Sequence, residues 1–153
     1  MLTLYVDADA CPVKDEVYRV ARRYAMPVKI VANAPLGVPA SGLVETIVRQ
    51  GFGAADDWIA EHAGAGDVVV TADIPLAARC VTAGAAVLDP KGRPFTEADI
   101  GAALAMRDLR EELRQSGAIT GGPAPMTAKD RSRFLGKLDE LVVAARRAHP
   151  PGR

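Results

Sequence analysis

Apolar residues fall into two rhythms along the chain: short runs without helical period, and stretches where they recur every three or four positions. Residues 2–6, Leu-Thr-Leu-Tyr-Val, read as a short buried strand ending in Asp7. Over 12–25 the spacing of Val13, Val17, Val20, Ala21 and Tyr24 predicts a helix, with Pro12 suited to its first position. Met26-Pro27 stops that helix and a second strand follows over 28–32. Residues 33–42, rich in Pro and Gly, read as a loop. Val44, Thr46 and Val48 then alternate with Glu45, Ile47 and Arg49, the pattern of a third strand.

After the break at Gly51-Phe52-Gly53, residues 54–62 predict a short helix, closed by Gly64-Ala65-Gly66. Val68-Val69-Val70-Thr71 is continuously apolar until its last residue, which suits a central strand covered on both faces. Pro75 opens a helix to about Ala83, Ala86-Val87-Leu88 makes another strand, and Asp89-Pro90-Lys91-Gly92 a turn. Thr96 and Asp99 resemble an N-cap with an acidic first turn, for a helix running to about Gln115. A last helix over 127–148 places Phe134, Leu135, Leu138, Leu141, Val142 and Ala145 on one face. Strands alternating with helices predict an α/β fold on a parallel sheet, with the last two helices covering it or forming an appendage.

Length and composition narrow the class. A chain of 153 residues with 49% apolar and 25% charged residues suits one folded domain and excludes wholesale disorder. No apolar run approaches the ~20 residues of a membrane span, so no membrane association is expected. No secretory leader is evident, and two cysteines, Cys11 and Cys80, make no disulfide framework, so a cytoplasmic location is expected. Charge is uneven: residues 1–100 hold 9 Lys/Arg and 13 Asp/Glu, residues 101–153 hold 10 and 6. Basic residues recur at Arg107, Arg110 and Arg114, then at Lys129, Arg131, Arg133 and Lys137. Such rows suit phosphates, or equally helix-surface ion pairs with Asp108, Glu111 and Glu112. Three Tyr, three Phe and one Trp are few for a base-stacking platform.

In open α/β sheets, sites form beyond the carboxyl ends of the strands. Acidic residues recur there at three separated places: Asp7 and Asp9 after the first strand, Asp56-Asp57 after the third, and Asp73 after 68–71. Crowded carboxylates repel, and a hard divalent cation such as Mg²⁺ or Mn²⁺ relieves that repulsion while preferring oxygen ligands. Such an ion keeps waters free to attack a phosphodiester. Each Asp also has a simpler reading, with Asp73 as a helix cap and Asp56-Asp57 as acidic residues favouring a helix start. Cys11 is either a thiol activated at a helix start or a small packing residue; Cys80, within an apolar helix, reads as structural. His62 lies near a helix end and His149 in a Pro-rich terminus, so neither reads as a ligand.

The segment Asp7-Ala8-Asp9-Ala10-Cys11-Pro12-Val13-Lys14 resembles the opening signature of the YaiI/YqxD family. Ala55-Asp56-Asp57-Trp58-Ile59, Thr71-Ala72-Asp73-Ile74-Pro75-Leu76-Ala77, Arg107-Asp108-Leu109 and Thr120-Gly121-Gly122-Pro123 resemble it too, in the family's order and over nearly the whole chain. More distantly, Ala55-Asp56-Asp57 followed by a helix and a strand ending Thr71-Ala72-Asp73 is similar to PIN-like nucleases of the flap-endonuclease and NYN type. That resemblance implies a three-layer sandwich around a mainly parallel sheet, with two extra C-terminal helices. Residues 1–115 would form the PIN-like α/β domain and 116–126 a loop. Residues 127–148 would form a helix packed on or appended to that domain. It further implies Mg²⁺ or Mn²⁺ bound by Asp7, Asp56 and Asp73, and cleavage of RNA or structured DNA. Asp9 or Asp57 would orient or deprotonate the attacking water. Lys14, Asn33, Thr71 and Arg107 are the candidate substrate-binding residues. This chain departs from the flap-nuclease pattern in having Ala54 and Pro75 where carboxylates are expected.

Two other functions stay open. The same fold, poor in carboxylates and basic at its C-terminal end, suits a non-catalytic nucleic-acid- or protein-binding module. Asp7-x-Asp9 after a strand also resembles the haloacid dehalogenase-type phosphatases, with Asp7 as nucleophile and Asp9 as acid/base; the Thr expected two residues after Asp9 is Cys11.

Overall fold

A computed structural model describes residues 2–8, 11–35, 37–38, 42–51, 53–98, 101 and 126–148. In chain order the elements are β1 (Leu4–Asp7), α1 (Lys14–Tyr24), β2 (Val28–Ala32), β3 (Val44–Val48), α2 (Ala54–His62), β4 (Val68–Val70), α3 (Ile74–Thr82), β5 (Ala86–Leu88), β6 (Pro94–Phe95) and α4 (Ala128–Ala148). The six strands form one sheet in the order β3-β2-β1-β4-β5-β6. All neighbours are parallel except β5 and β6, where Leu88 faces Pro94 across an antiparallel pair.

The alternation of side chains along the strands divides the core in two. Leu4, Val6, Val28, Ile30, Val68, Val70 and Leu88 face α1 and α4, packing with Val17, Val20, Phe134, Leu138 and Val142. Tyr5, Val31, Val69 and Val87 face α2 and α3, packing with Ala55, Ile59, Leu76, Ala77 and Cys80. The result is a three-layer α/β sandwich with helices on both faces of a mainly parallel sheet.

Local chemistry explains where the helices begin and end. α1 carries Asp15 and Glu16 in its first turn and Arg22 and Arg23 in its last, matching the helix dipole. It ends at Ala25, which adopts a left-handed conformation, while the Met26 N–H returns to the Ala21 carbonyl at 2.9 Å. α4 opens with a reciprocal cap: the Thr127 hydroxyl accepts from the Asp130 N–H, and the Asp130 carboxylate accepts from the Thr127 N–H, both at 3.1 Å.

α4 is integral to the fold. Phe134, Leu138 and Val142 are completely buried. Asp139 takes a hydrogen bond from the Tyr24 hydroxyl at 2.7 Å and an ion pair from Arg23. Arg131 donates to the Pro12 carbonyl at 2.8 Å and pairs with Glu16. Gly92, at φ +87°, lets the 89–93 turn lie directly on the α4 backbone, for a Cβ there would fall 2.8 Å from the Phe134 nitrogen.

The sequence pattern also predicts a helix to about Gln115 and a loop over 116–126. Of the former, residues 99–100 and 102–115 lie outside the described residues; of the latter, 116–125 do. β6 is an addition that the hydrophobic pattern does not announce, because two residues starting with Pro carry no readable alternation.

Candidate active site at the strand ends

The sheet order places β1 between β2 and β4. The chain winds one way from β1 to β2 and β3, and the other way from β1 to β4 and β5. Helices leaving β1 and β4 therefore diverge to opposite faces, and a crevice opens at the carboxyl ends of these two strands. A pocket of about 340 Å³ lies there, lined by Asp7, Asn33, Gly53, Ala55, Asp56, Ala72 and Asp73.

Each lining residue follows from its element. Asp7 is the last residue of β1 and is 7% exposed. Asn33 follows the last residue of β2. Gly53, at φ +70°, forms the N-cap of α2, and Ala55 and Asp56 lie in that helix's first turn. Ala72 and Asp73 link β4 to α3, where Asp73 is the N-cap and its Oδ1 accepts the Leu76 N–H at 2.8 Å.

The hydroxyl of Thr71 joins the two central strands. It accepts the Asp73 N–H at 3.0 Å and donates to Asp7 Oδ2 at 2.9 Å. Thr71 is only 1% exposed, so its bond to Asp7 is buried, and that from Asp73 is partly so. A backbone N–H can only donate, which leaves the hydroxyl hydrogen for Asp7. The carboxylate of β1 and the backbone of the Asp73 cap are thus held in one fixed relation.

The candidate residues divide accordingly. Asp7, Asn33, Asp56 and Asp73 come together around the pocket. Thr71 stands behind them, its hydroxyl committed to Asp7 rather than offered to a substrate. Asp57 does not line the pocket; it sits on the exposed outer side of α2 and pairs with Arg79 of α3 at 2.8 Å. Lys14 also lies off the pocket lining, because its ammonium turns back to the Cys11 carbonyl at 2.9 Å. Asp9 and Arg107 lie outside the described residues.

The remaining candidates resolve as structural. Cys11 is buried in the core, and burial pushes its thiol pKa up. Burial pushes the Cys80 thiol up to about 11. The His62 ring stacks on Trp58, with ring centres 3.9 Å apart. The basic row of α4 is largely taken up by ion pairs, Arg131 with Glu16, Arg133 with Asp130 and Lys137 with Glu140. Gly53, Ala55 and Ala72 were not singled out from the sequence, although they flank the strand-end and helix-start acids directly. Their small size is what keeps the pocket open.

The donor set is all oxygen and amide, which suits a hard cation and not a thiol- or imidazole-bound metal. Among the described residues, however, no group of three or more His, Cys, Asp or Glu side chains is arranged to hold a metal ion. The three carboxylates border one cavity without forming a ready-made cage. The same residues contain no helix long and apolar enough to cross a membrane.

Residues 5–144 match the family model described as "Uncharacterized BCR, YaiI/YqxD family". The chain is 58% identical to a UPF0178 protein of Rhodopseudomonas palustris (strain BisB5), over 97% of this chain and 92% of that protein. It is 56% identical to the UPF0178 proteins of Azorhizobium caulinodans and Nitrobacter winogradskyi, over 96% of this chain and 93% and 94% of theirs. No solved structure matches it.

Proposed function

The chain belongs to the YaiI/YqxD family, and from its strand-end pocket we propose that it is a Mg²⁺- or Mn²⁺-dependent nuclease hydrolysing phosphodiester bonds in RNA or structured DNA. The observation that carries this reading is the pairing of Asp7 and the Asp73 cap, from two adjacent strands, through the buried Thr71 hydroxyl on the wall of one pocket. Asp7 and Asp73 would hold the cation. Since no three-member ligand group is present among the described residues, waters and a substrate phosphate would complete its coordination, the usual habit of Mg²⁺. When bound, the ion supplies Lewis-acid stabilisation of phosphoryl charge and a more acidic water.

The chain's own residues do the rest. Asp56, a third metal ligand in the resemblance, would here instead accept a hydrogen bond from an attacking water, being on the pocket lining. Asp57, held by Arg79, is not. The Asn33 amide can donate to a phosphate oxygen, and the small side chains of Gly53, Ala55 and Ala72 let a phosphodiester approach the backbone. The non-catalytic binding module is the second reading. It is favoured by Ala54 and Pro75 in place of carboxylates and by the missing three-member group.

Incubation of RNA and structured-DNA oligonucleotides with Mn²⁺ and either the parent or Asp73→Asn separates these readings. The nuclease reading expects Mn²⁺-dependent cleavage by the parent, reduced ~100-fold or more in Asp73→Asn. The amide oxygen still caps α3 in that variant, so its melting temperature stays near the parent's. Equal cleavage by both proteins overturns the assignment. Salt-sensitive binding without turnover selects the module.

A further inference from the structure

The chain has a single tryptophan, Trp58, and its surroundings are unusual for a residue that only fills space. Its ring is half-buried on α2, with Tyr5 beneath it at 5.9 Å between ring centres. His62, one turn later, stacks on it nearly parallel, the planes 15° apart. The guanidinium of Arg49 lies 5.8 Å from its centre, within cation–π range. Arg49 and His62 are both exposed. Three planar groups therefore meet at one place on the surface.

Two short covalent paths link that place to residues of the pocket lining. Trp58 follows pocket-lining Asp56 by two residues on the same helix, which turns it about 200° round α2 from that residue. Arg49 continues β3, and its N–H donates to the Ala32 carbonyl at 2.9 Å, next to pocket-lining Asn33. The Arg49 side chain donates to its neighbour's carbonyl, Val48, at 2.8 Å and makes no ion pair among the described residues. Among the described residues its positive charge has no ion-pair partner, unlike those of Arg23, Arg79 or Arg131. A cation beside flat rings offers a phosphate one contact and a base another.

We propose that Arg49 and His62, backed by the Trp58 ring, form a stacking platform for an unpaired base of single-stranded nucleic acid whose backbone passes round α2 to the strand-end pocket. This rests on the function proposed above and adds to it the strandedness of the substrate. Bases stack on aromatic rings and guanidinium planes whatever their identity, because each has a π-face. In a duplex those faces are covered by neighbouring pairs, so the platform selects single strands. The scarcity of aromatics counts for little here: one base needs only one platform.

Trp58 reports on its own occupancy. The test is a fluorescence titration of the full chain in EDTA with a decauridylate and a deca-thymidylate, against a ten-base-pair duplex, at low salt. The expected result is saturable quenching by the single strands and at least ~10-fold weaker binding of the duplex. Arg49→Ala should weaken single-strand binding several-fold and lower its salt slope by about one. Trp58→Ala, followed by anisotropy of a labelled decamer, should weaken it ~10-fold, and Trp58→Phe should retain most of the affinity. Absence of binding, binding unchanged in Arg49→Ala, or equal binding of the duplex overturns the platform. The two proposals fail separately: Mn²⁺-dependent cleavage without this single-strand preference removes the platform alone, and single-strand binding without any cleavage removes the nuclease alone. A stronger response to decauridylate than to deca-thymidylate marks RNA as the favoured strand.

Discussion

One hydroxyl at the residue scale holds the site together. Thr71, itself buried, accepts from Asp73 and donates to Asp7. Thr71→Val keeps the shape but deprives the Asp73 N–H of its acceptor and Asp7 of one donor, a loss of about 1–3 kcal/mol in stability by chemical denaturation. It should also lower cleavage by ~10-fold or more, since the carboxylate loses its orientation, whereas Thr71→Ser retains most of both. Asp73 has two roles that substitution can divide: Asp73→Ala removes the α3 cap, at about 1 kcal/mol, whereas Asp73→Asn keeps it. Cys80 gives a pH signature. Its thiol is raised to about 11 by burial, so above the ordinary thiol range the unfolded chain releases a proton that the folded chain keeps. Stability is then fully present below pH ~9 and falls as pH rises towards ~11. Urea melts across that window should show the fall, and Cys80→Ala should make it shallower, the part due to buried Cys11 and Tyr5 and half-buried Tyr18 remaining. The sequence made the acidic strand ends legible but not which of Asp56 and Asp57 serves the pocket. Adjacent helical residues point about 100° apart, and the phase of α2 is set by the turn at Gly53. Only the tertiary position of Arg79 shows that Asp57 faces away.

Among the elements, α4 decides whether the chain is one cooperative unit. Its hydrophobic stripe was readable, because Phe134, Leu138 and Val142 recur at four-residue spacing and all three are buried. Where the stripe docks was not readable, since the contacts that fix it, such as Tyr24 to Asp139 and Arg131 to Pro12, join residues over a hundred positions apart. Leu138→Ala should cost about 2–5 kcal/mol and shift a single unfolding transition. A separate early transition with the rest of the melt unchanged would mean an appended helix instead. Gly92→Ala is a sharper probe of the same contact, for its Cβ would strike the α4 backbone and its φ of +87° disfavours any side chain. It should destabilise by more than the ~1 kcal/mol expected of an open left-handed position. The α1, α2 and α3 boundaries were legible to within about two residues because Pro, Gly and capping acids mark them. β6 was not, its two residues being too few to show a period.

On the scale of the whole molecule, the candidate site follows from strand order. The hydrophobic pattern reveals five strands and the helices between them, and parallel pairing follows from that alternation. It does not reveal that β1 lies between β2 and β4, because order within a sheet depends on which faces bury which helices. That order is what brings Asp7, Asn33, Asp56 and Asp73, spread over 67 positions of sequence numbering from Asp7 to Asp73 inclusive, around one pocket of about 340 Å³. The proposed function, with no three-member ligand group among the described residues, calls on phosphate to complete the coordination of the cation. Calorimetric titration of the metal-free protein with Mn²⁺, with and without saturating uridine monophosphate, tests this directly. The expected result is weak binding of Mn²⁺ alone, tightened at least ~10-fold by the nucleotide and lost in Asp7→Asn. Mn²⁺ binding that is absent in both conditions, or that persists unchanged in Asp7→Asn, would contradict it.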